Sequence, residues 1–140
     1  MIVLDTSFLY ALLDRRDRRH SESSDWYRTV DDELATSPLV LAEVDYLAAR
    51  AGRALREGFR RDLRAGAYSV EWWDAAVASV TELAEQYSDL GVSLADASLV
   101  AVAARLGTTS IATFDERHFR AMRPLTGEPA FTLLPADAGV

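Results

Sequence analysis

Asp5, Glu43, Asp96 and Asp115 are acids set inside or directly beside apolar stretches of this sequence. Asp5 follows Ile2-Val3-Leu4, and Glu43 lies among Leu39, Val40, Leu41, Val44 and Leu47. Asp96 stands near the start of the apolar segment Ser93 to Leu106, and Asp115 follows the run Ser110 to Phe114. An ionised carboxylate taken out of water without a partner costs on the order of several kcal/mol, so each of these acids needs compensation. Gathered into one cleft, the four would repel one another and raise each other's pKa values. A divalent cation removes that repulsion. Mg²⁺ and Mn²⁺ take oxygen ligands, keep several waters, and are held by a few carboxylates together with substrate phosphate. Such a centre lowers the pKa of a bound water and stabilises the attacking and leaving oxygens of an in-line displacement at phosphorus. The chemistry is then phosphodiester hydrolysis.

The acids meet only if the elements that carry them end at one edge. Ile2 to Leu4 reads as a short strand, giving way after Asp5-Thr6-Ser7 to Phe8, Leu9, Leu12 and Leu13 at helical spacing. His20 to Val30 reads as a second helix after the charged loop RRDRR, and Ala35-Thr36 as a very short strand. Ser37-Pro38 opens a helix with a capping residue and a proline at its first position. Tyr68 to Glu71 reads as a strand and Ala75 to Tyr87 as an amphipathic helix. Ser93 to Leu106 is apolar on nearly every face, a buried helix with Ser93 as its cap and Gly107 ending it in a left-handed conformation. Ser110 to Phe114 is an interior strand, Glu116 to Met122 a short helix, and Phe131 to Leu134 a last strand beyond the loop marked by Pro124, Gly127 and Pro129. Strands alternating with helices give an α/β fold with a mainly parallel sheet of about five short strands.

Ligands of an open parallel sheet bind outside the carboxyl ends of its strands. Asp5 and Asp115 each follow such an end. A crossover helix runs antiparallel to the strand it feeds, so the start of the Ser93 helix, with Asp96, belongs at the same edge. Glu43 sits in the early turns of a helix that begins there. The reading is that all four carboxylates converge.

Composition removes several alternatives. At 140 residues the chain is one domain, 1–140, large enough to fold without a disulfide or metal staple. Cysteine is absent, which excludes thiolate catalysis and Cys-based zinc sites and fits a reducing cytoplasm. All 15 basic residues are arginine, so a P-loop, a Schiff-base enzyme and any fold needing a catalytic lysine are excluded in their usual forms. No apolar run approaches the roughly 20 residues that cross a bilayer, which reads as a soluble, unexported protein. The net charge of −7 argues against a simple nucleic-acid coat. A cluster of cation-binding acids would lower the charge while creating a site that attracts phosphate.

Each acid has a purely structural explanation as well. Ser93-x-x-Asp96 spells a capping box, and an acid in a first turn is favoured by the helix dipole. Asp5 reads equally as a helix cap, Glu43 as a partly buried acid paired with an arginine, and Asp115 as a turn residue with Thr113 filling a strand. All four explanations would have to hold together at one sheet edge.

At this point the residues resemble a known family. The sequence is similar to PIN-domain ribonucleases of the VapC toxin type: IVLDTSFL, SPLVLAEVDYL around Glu43, VSLADASLVAVAARLG around Asp96 and IATFDERHF around Asp115 match its four acidic blocks in order and approximate spacing. The resemblance runs through FTLLP near the end. It implies a three-layer α/β/α PIN-like fold, and it implies that Asp5, Glu43, Asp96 and Asp115 bind Mg²⁺, or Mn²⁺ in its place. It further implies that Thr6 or Ser7 and Thr113 assist through their hydroxyls, and that RNA cleavage leaves a 5′-phosphate. A homodimer and a cognate antitoxin binding across the active site also follow from the resemblance. The activity it implies is that of the endoribonuclease toxin of a type II toxin–antitoxin pair, acting on structured RNA such as transfer or ribosomal RNA.

Three rivals stand beside this reading. A haloacid-dehalogenase-type phosphatase also begins with an apolar strand and an Asp, but Ser7 stands where its second Asp belongs and lysine is absent. A receiver domain likewise lacks its lysine here. A catalytically silent PIN-fold module that binds RNA or antitoxin is the third, against which the four intact acids count. Asp45 should point away from the helix face of Glu43, and Asp89 only precedes the next helix, so both stay outside the quartet. His118, three residues after Asp115, is either a phosphate neighbour or a surface residue, and His20 has the weaker case. Arg53, Arg56, Arg60 and Arg64 share a helix face bordered by Arg61, which serves either as a solvated face or as an RNA or partner surface. Trp26, Trp72 and Trp73 read as core or interface before base stacking.

Overall fold

β1 (Ile2–Leu4) is buried at all three residues and occupies the middle of a five-stranded sheet ordered β3-β2-β1-β4-β5. Its flanking strands are β2 (Leu34–Thr36) and β4 (Ser110–Ala112), and the edges are β3 (Ser69–Val70) and β5 (Thr132–Leu134). Every pairing is parallel, with Val3 opposite Ala35 on one side and Ile111 on the other. These coordinates are a computed structural model that describes residues 1–139; Val140, the last residue of the expected domain, lies outside them. The helices α1 (Thr6–Leu13), α2 (His20–Tyr27), α3 (Pro38–Ala51), α4 (Arg53–Arg64), α5 (Ala76–Gln86), α6 (Leu94–Leu106) and α7 (Glu116–Ala121) complete a three-layer α/β/α arrangement. No helix of the described residues is long and apolar enough to cross a membrane.

A parallel sheet is covered on both faces, so its strands are short apolar runs without alternation. Val3, Leu4 and Ile111 are fully buried, and Phe8, Leu9, Val40, Val44, Leu99 and Val100 pack from the helices into the same core. α6 starts and stops where its sequence says: the Ser93 hydroxyl accepts from the Asp96 amide, and Gly107 closes the helix at φ 69°. Ser37 caps α3 and its hydroxyl also meets that of Ser98 on α6 at 2.6 Å in a fully buried pair. That contact pins the start of α3 beside the start of α6.

Several element ends differ from the sequence reading, most by one residue, and the larger shifts at α2 and β4 have local reasons. α2 stops at Tyr27 rather than Val30, because the Thr29 and Val30 amides turn back on the Trp26 and Tyr27 carbonyls in a tighter turn. β4 stops at Ala112 rather than Phe114, because the Phe114 and Asp115 amides donate to the Ser7 and Thr113 hydroxyls instead of a neighbouring strand. β3 shrinks to two exposed residues at the sheet edge.

Candidate metal centre

Asp5 is the residue after the central strand, and only 3% of it is exposed. It stands at the N-cap position of α1, yet its carboxylate makes no capping hydrogen bond. Instead the Ser7 and Thr113 hydroxyls both donate to Asp5 Oδ2, at 2.8 and 2.7 Å. Each hydroxyl is aimed in turn by a backbone amide: Phe114 N–H donates to Ser7 Oγ and Asp115 N–H to Thr113 Oγ1, both at 2.9 Å. Burial pushes the Asp5 pKa up to about 6, against the pull of those two hydroxyls, and the charge of Asp96 adds to the rise. The two acids, 91 residues apart in number, therefore share one field.

Asp96 and Asp115 are joined by His118. Its Nδ1 lies 3.1 Å from Asp96 Oδ2 and 2.9 Å from Asp115 Oδ2, while Nε2 donates to the Leu90 carbonyl at 2.8 Å. The side chains of Asp96, Asp115 and His118 are 13%, 34% and 17% exposed respectively, so the group is closer to solvent than Asp5. The structural explanations for these acids turn out to be true as well as insufficient. Asp96 Oδ2 accepts from the Ser93 amide to complete the capping box, and Asp115 caps α7 through the His118 amide. Neither cap uses up a carboxylate, because each has two oxygens with several acceptor directions.

Arginines neutralise acids elsewhere on the molecule, at Asp14, Glu22, Asp45, Glu71 and Asp137. Among the described residues none pairs with Asp5, Asp96 or Asp115. Glu43 is exposed on α3 and makes no hydrogen bond or ion pair among the described residues, so the structure joins Asp96 to Asp115 through His118 and Asp5 to Asp115 through Thr113, and does not bring Glu43 into that network. The arginine partner expected for Glu43 belongs to its neighbour: Arg60 grips both oxygens of Asp45 at 2.8 Å and holds that carboxyl below the usual range. Arg53 pairs with Glu57, Arg64 is exposed, and Arg56 has a buried Nε without a partner. Of the expected hydroxyls, Ser7 and Thr113 reach Asp5, whereas Thr6 Oγ1 is buried with no hydrogen bond. Trp26 packs edge-on against Phe8, and Arg105 covers the Trp73 ring, so these tryptophans serve the core and its border.

Sequence reading undervalued two features. His118 is a bridge between acids, and the available signal was its place one turn into a helix capped by Asp115. The second is a cavity of about 250 Å³ lined by Thr6, Ser7, Tyr10, Leu47 and Phe114 together with Asp17, Arg18 and Arg19, in which the loop RRDRR brings two arginines beside Ser7, a hydrogen-bond partner of Asp5.

Comparison with known proteins agrees with this arrangement. The profile of the PIN domain matches residues 2–123. This chain belongs to the PIN-domain family. Ribonuclease VapC26 of Mycobacterium tuberculosis (strain ATCC 25618 / H37Rv) is 36% identical over 136 residues, covering 96% of this chain and all of that protein, which puts the chain in the VapC branch. The crystal structure of Mycobacterium tuberculosis VapC20, described as a sarcin–ricin loop cleaving toxin, superposes with a TM-score of 0.75 at 25% identity, covering 82% of this chain and 90% of that one. The toxin–antitoxin complex VapBC2 of Rickettsia felis, solved on a promoter DNA fragment, shares the fold with a TM-score of 0.61 at 16% identity, covering 89% and 96%.

The donor set of this PIN domain fits a divalent cation. Two partly buried carboxylates and an imidazole nitrogen meet, with Asp96, Asp115 and His118 each offering a ligand atom within 4.8 Å of the others, and the buried Asp5 lies within the field of Asp96. Asp96, Asp115 and His118 are the described residues whose ligand atoms lie close enough together to share an ion.

Proposed function

We propose that this VapC-type PIN domain is a Mg²⁺-dependent endoribonuclease, with Mn²⁺ able to replace Mg²⁺, and the toxin of a type II toxin–antitoxin pair. The observation that carries the reading is a buried Asp5 in the field of Asp96 and linked through Thr113 to Asp115, with no arginine paired to any of the three among the described residues. Bound there, a divalent ion supplies an activated water and charge stabilisation at phosphorus. The chain's own residues do the rest. Ser7 and Thr113 fix the Asp5 carboxylate through Oδ2, so that its orientation is set before any ligand arrives. Asp96 and Asp115 are held by helix caps at the rim, on elements too rigid to drift apart. Glu43, exposed on the flank, completes the acidic shell. Arg18 and Arg19 offer guanidinium donors to backbone phosphates flanking the scissile bond, a task for which arginine is suited by its planar fork. In-line attack leaves a 5′-phosphate on the released strand.

The substrate in this reading is an exposed loop of structured RNA, transfer or ribosomal, read by shape and unstacked bases. The relative described as cleaving the sarcin–ricin loop supports the ribosomal choice. A cytoplasmic setting, a homodimer and an antitoxin that occludes the acids complete the reading; the antitoxin is supported by the complexes among its structural neighbours. The test is direct. Purified, antitoxin-free protein is incubated with total RNA and with Mg²⁺ or Mn²⁺, with and without EDTA, and 5′-phosphate ends are mapped. Discrete cuts that vanish with EDTA and in Asp5→Asn and Asp96→Asn support it; cuts that survive either treatment refute it.

A further inference from the structure

The geometry points to His118 as a nitrogen ligand of the catalytic cation, in a centre that binds Mn²⁺ in preference to Mg²⁺. The inference rests on the metal-dependent reading above and refines it. The Leu90 carbonyl can only accept, so its 2.8 Å contact requires a proton on Nε2. In the neutral ring Nδ1 then carries a lone pair, and that lone pair faces Asp96 Oδ2 at 3.1 Å and Asp115 Oδ2 at 2.9 Å. The positive charge that these three atoms share is either a proton on Nδ1 or a metal ion.

The two separations from Nδ1 suit a metal, and all three ligand atoms lie within 4.8 Å of one another. Ligand atoms about 2.1 Å from an ion and at right angles to each other stand about 3.0 Å apart, the edge of an octahedron. A ligating histidine also donates its other ring N–H to a carbonyl or carboxylate, which fixes tautomer and orientation; the Leu90 carbonyl fills that role. The ring has little freedom to leave. It is 17% exposed, its own amide caps against Asp115, and Leu90 belongs to the 3-10 turn Ser88–Leu90 that leads into the α6 cap holding Asp96. The four parts form one unit, assembled from α6, α7 and the turn between α5 and α6.

Ligand chemistry then selects the ion. Carboxylates and water suit Mg²⁺ and Mn²⁺ alike, but imidazole belongs with the transition ions, so one nitrogen among the oxygens tips the balance to Mn²⁺. His20 is not part of this centre: its Nδ1 meets the Ala11 carbonyl, and the clustered ligand atoms are those of Asp96, Asp115 and His118.

The experiment uses the full-length, metal-free chain without RNA. Mn²⁺ is titrated by electron paramagnetic resonance, the bound ion is examined by electron spin echo for coupling to a ¹⁴N nucleus, and Mg²⁺ is added as competitor. The expected result is ¹⁴N coupling in the wild type and Mn²⁺ binding at least about tenfold tighter than Mg²⁺. His118→Ala should abolish the coupling and lose most of the Mn²⁺ preference, while His118→Asp should restore binding with the preference moved to Mg²⁺. Mn²⁺ bound without ¹⁴N coupling, or both ions weakened equally in His118→Ala, would overturn the inference and leave His118 as an imidazolium brace between two acids. The wild-type spectrum decides even if a variant fails to fold. A chain that cleaves RNA but lacks the coupling defeats this inference alone; one that binds neither ion defeats the metal-dependent reading with it.

Discussion

Thr113 donates to Asp5 across 108 positions of sequence, 2.7 Å from oxygen to oxygen, and so ties strand β4 to the acid that follows strand β1. The same hydroxyl accepts the Asp115 amide, so one oxygen positions two of the acids. Thr113→Val keeps the shape and removes both bonds. The expected cost is about 1–3 kcal/mol, since a buried amide and a buried carboxylate lose their partner. With a donor gone, the Asp5 pKa moves above 6, and the pH at which RNA cleavage reaches half its maximum moves up with it. Chemical denaturation and a pH–rate profile check the two halves separately.

The raised pKa of Asp5 has a definite sign in stability. Its folded value of about 6 exceeds the 3.8 of an unfolded Asp, so between those values the folded chain holds a proton that the unfolded chain has lost. Stability from this group is therefore greatest below pH 4 and falls as pH rises through 6, by about 3 kcal/mol for a shift of about two pH units. Asp14, Asp45 and Asp137, held low by hydrogen bonds from Tyr10, Arg60 and Arg120 respectively, act in the opposite direction and lose their contribution as pH falls. The difference between wild type and Asp5→Asn isolates the Asp5 part. In EDTA at pH 7.5 the variant should melt at the higher temperature, and the gap should close by pH 4. A gap independent of pH would refute this account.

A divalent ion should reverse that ranking. It binds the folded chain and not the unfolded one, so stability grows with the logarithm of its concentration above Kd. At pH 7.5, millimolar Mn²⁺ is expected to raise the melting temperature of the wild type and leave that of Asp5→Asn nearly unmoved. Differential scanning fluorimetry with and without EDTA reads this directly.

Capping and metal binding at Asp96 can be separated. Ser93→Ala removes the hydroxyl that accepts the Asp96 amide and should cost about 1 kcal/mol of stability with cleavage per folded molecule retained. Asp96→Asn keeps an oxygen for the Ser93 amide and should leave stability within about 1 kcal/mol, while cleavage drops by a factor of about a thousand or more. Equal losses of activity in the two variants would mean that the cap, and not the charge, is what matters.

Arg60 offers a contrast between an ion pair and a binding surface. Its fork is committed to Asp45, linking α4 to α3, but the pair is half exposed, so Arg60→Ala should cost under about 1 kcal/mol. If this stripe contacts RNA, Arg64→Glu, at a residue without a partner among the described residues, should weaken binding more than Arg60→Ala. Filter binding to a cleavage-dead Asp96→Asn chain measures the difference.

How far the sequence reveals this can be argued residue by residue. The apolar runs before Asp5 and around Ser110, and the cap signals at Ser37, Ser93 and Gly107, are local, and the structure follows them almost to the residue. The convergence of Asp5 with Asp96 follows from topology alone, because a parallel sheet puts strand ends and the starts of its crossover helices on one side. What stays hidden is whatever depends on side-chain direction across long separations. Nothing in FDERHF says that His118 turns inward to Asp96 and Leu90, since an exposed helix face carries the same letters. Arginine spacing in α4 reports a shared face but not that Asp45 has already claimed Arg60. Glu43 and Asp45 are two residues apart on one helix, and only the packing of α4 on α3 decides which of them meets a cation.

The middle strand of the sheet is made by Ile2 to Leu4, and one of its two neighbours is supplied by residues 110 to 112. A growing polypeptide therefore carries Asp5 for most of its synthesis with no Ser110–Ala112 to pair against and no Thr113 to orient it. Any product of premature termination before that segment would lack both the neighbouring strand and the hydroxyl, so the candidate centre can form only once translation is nearly finished.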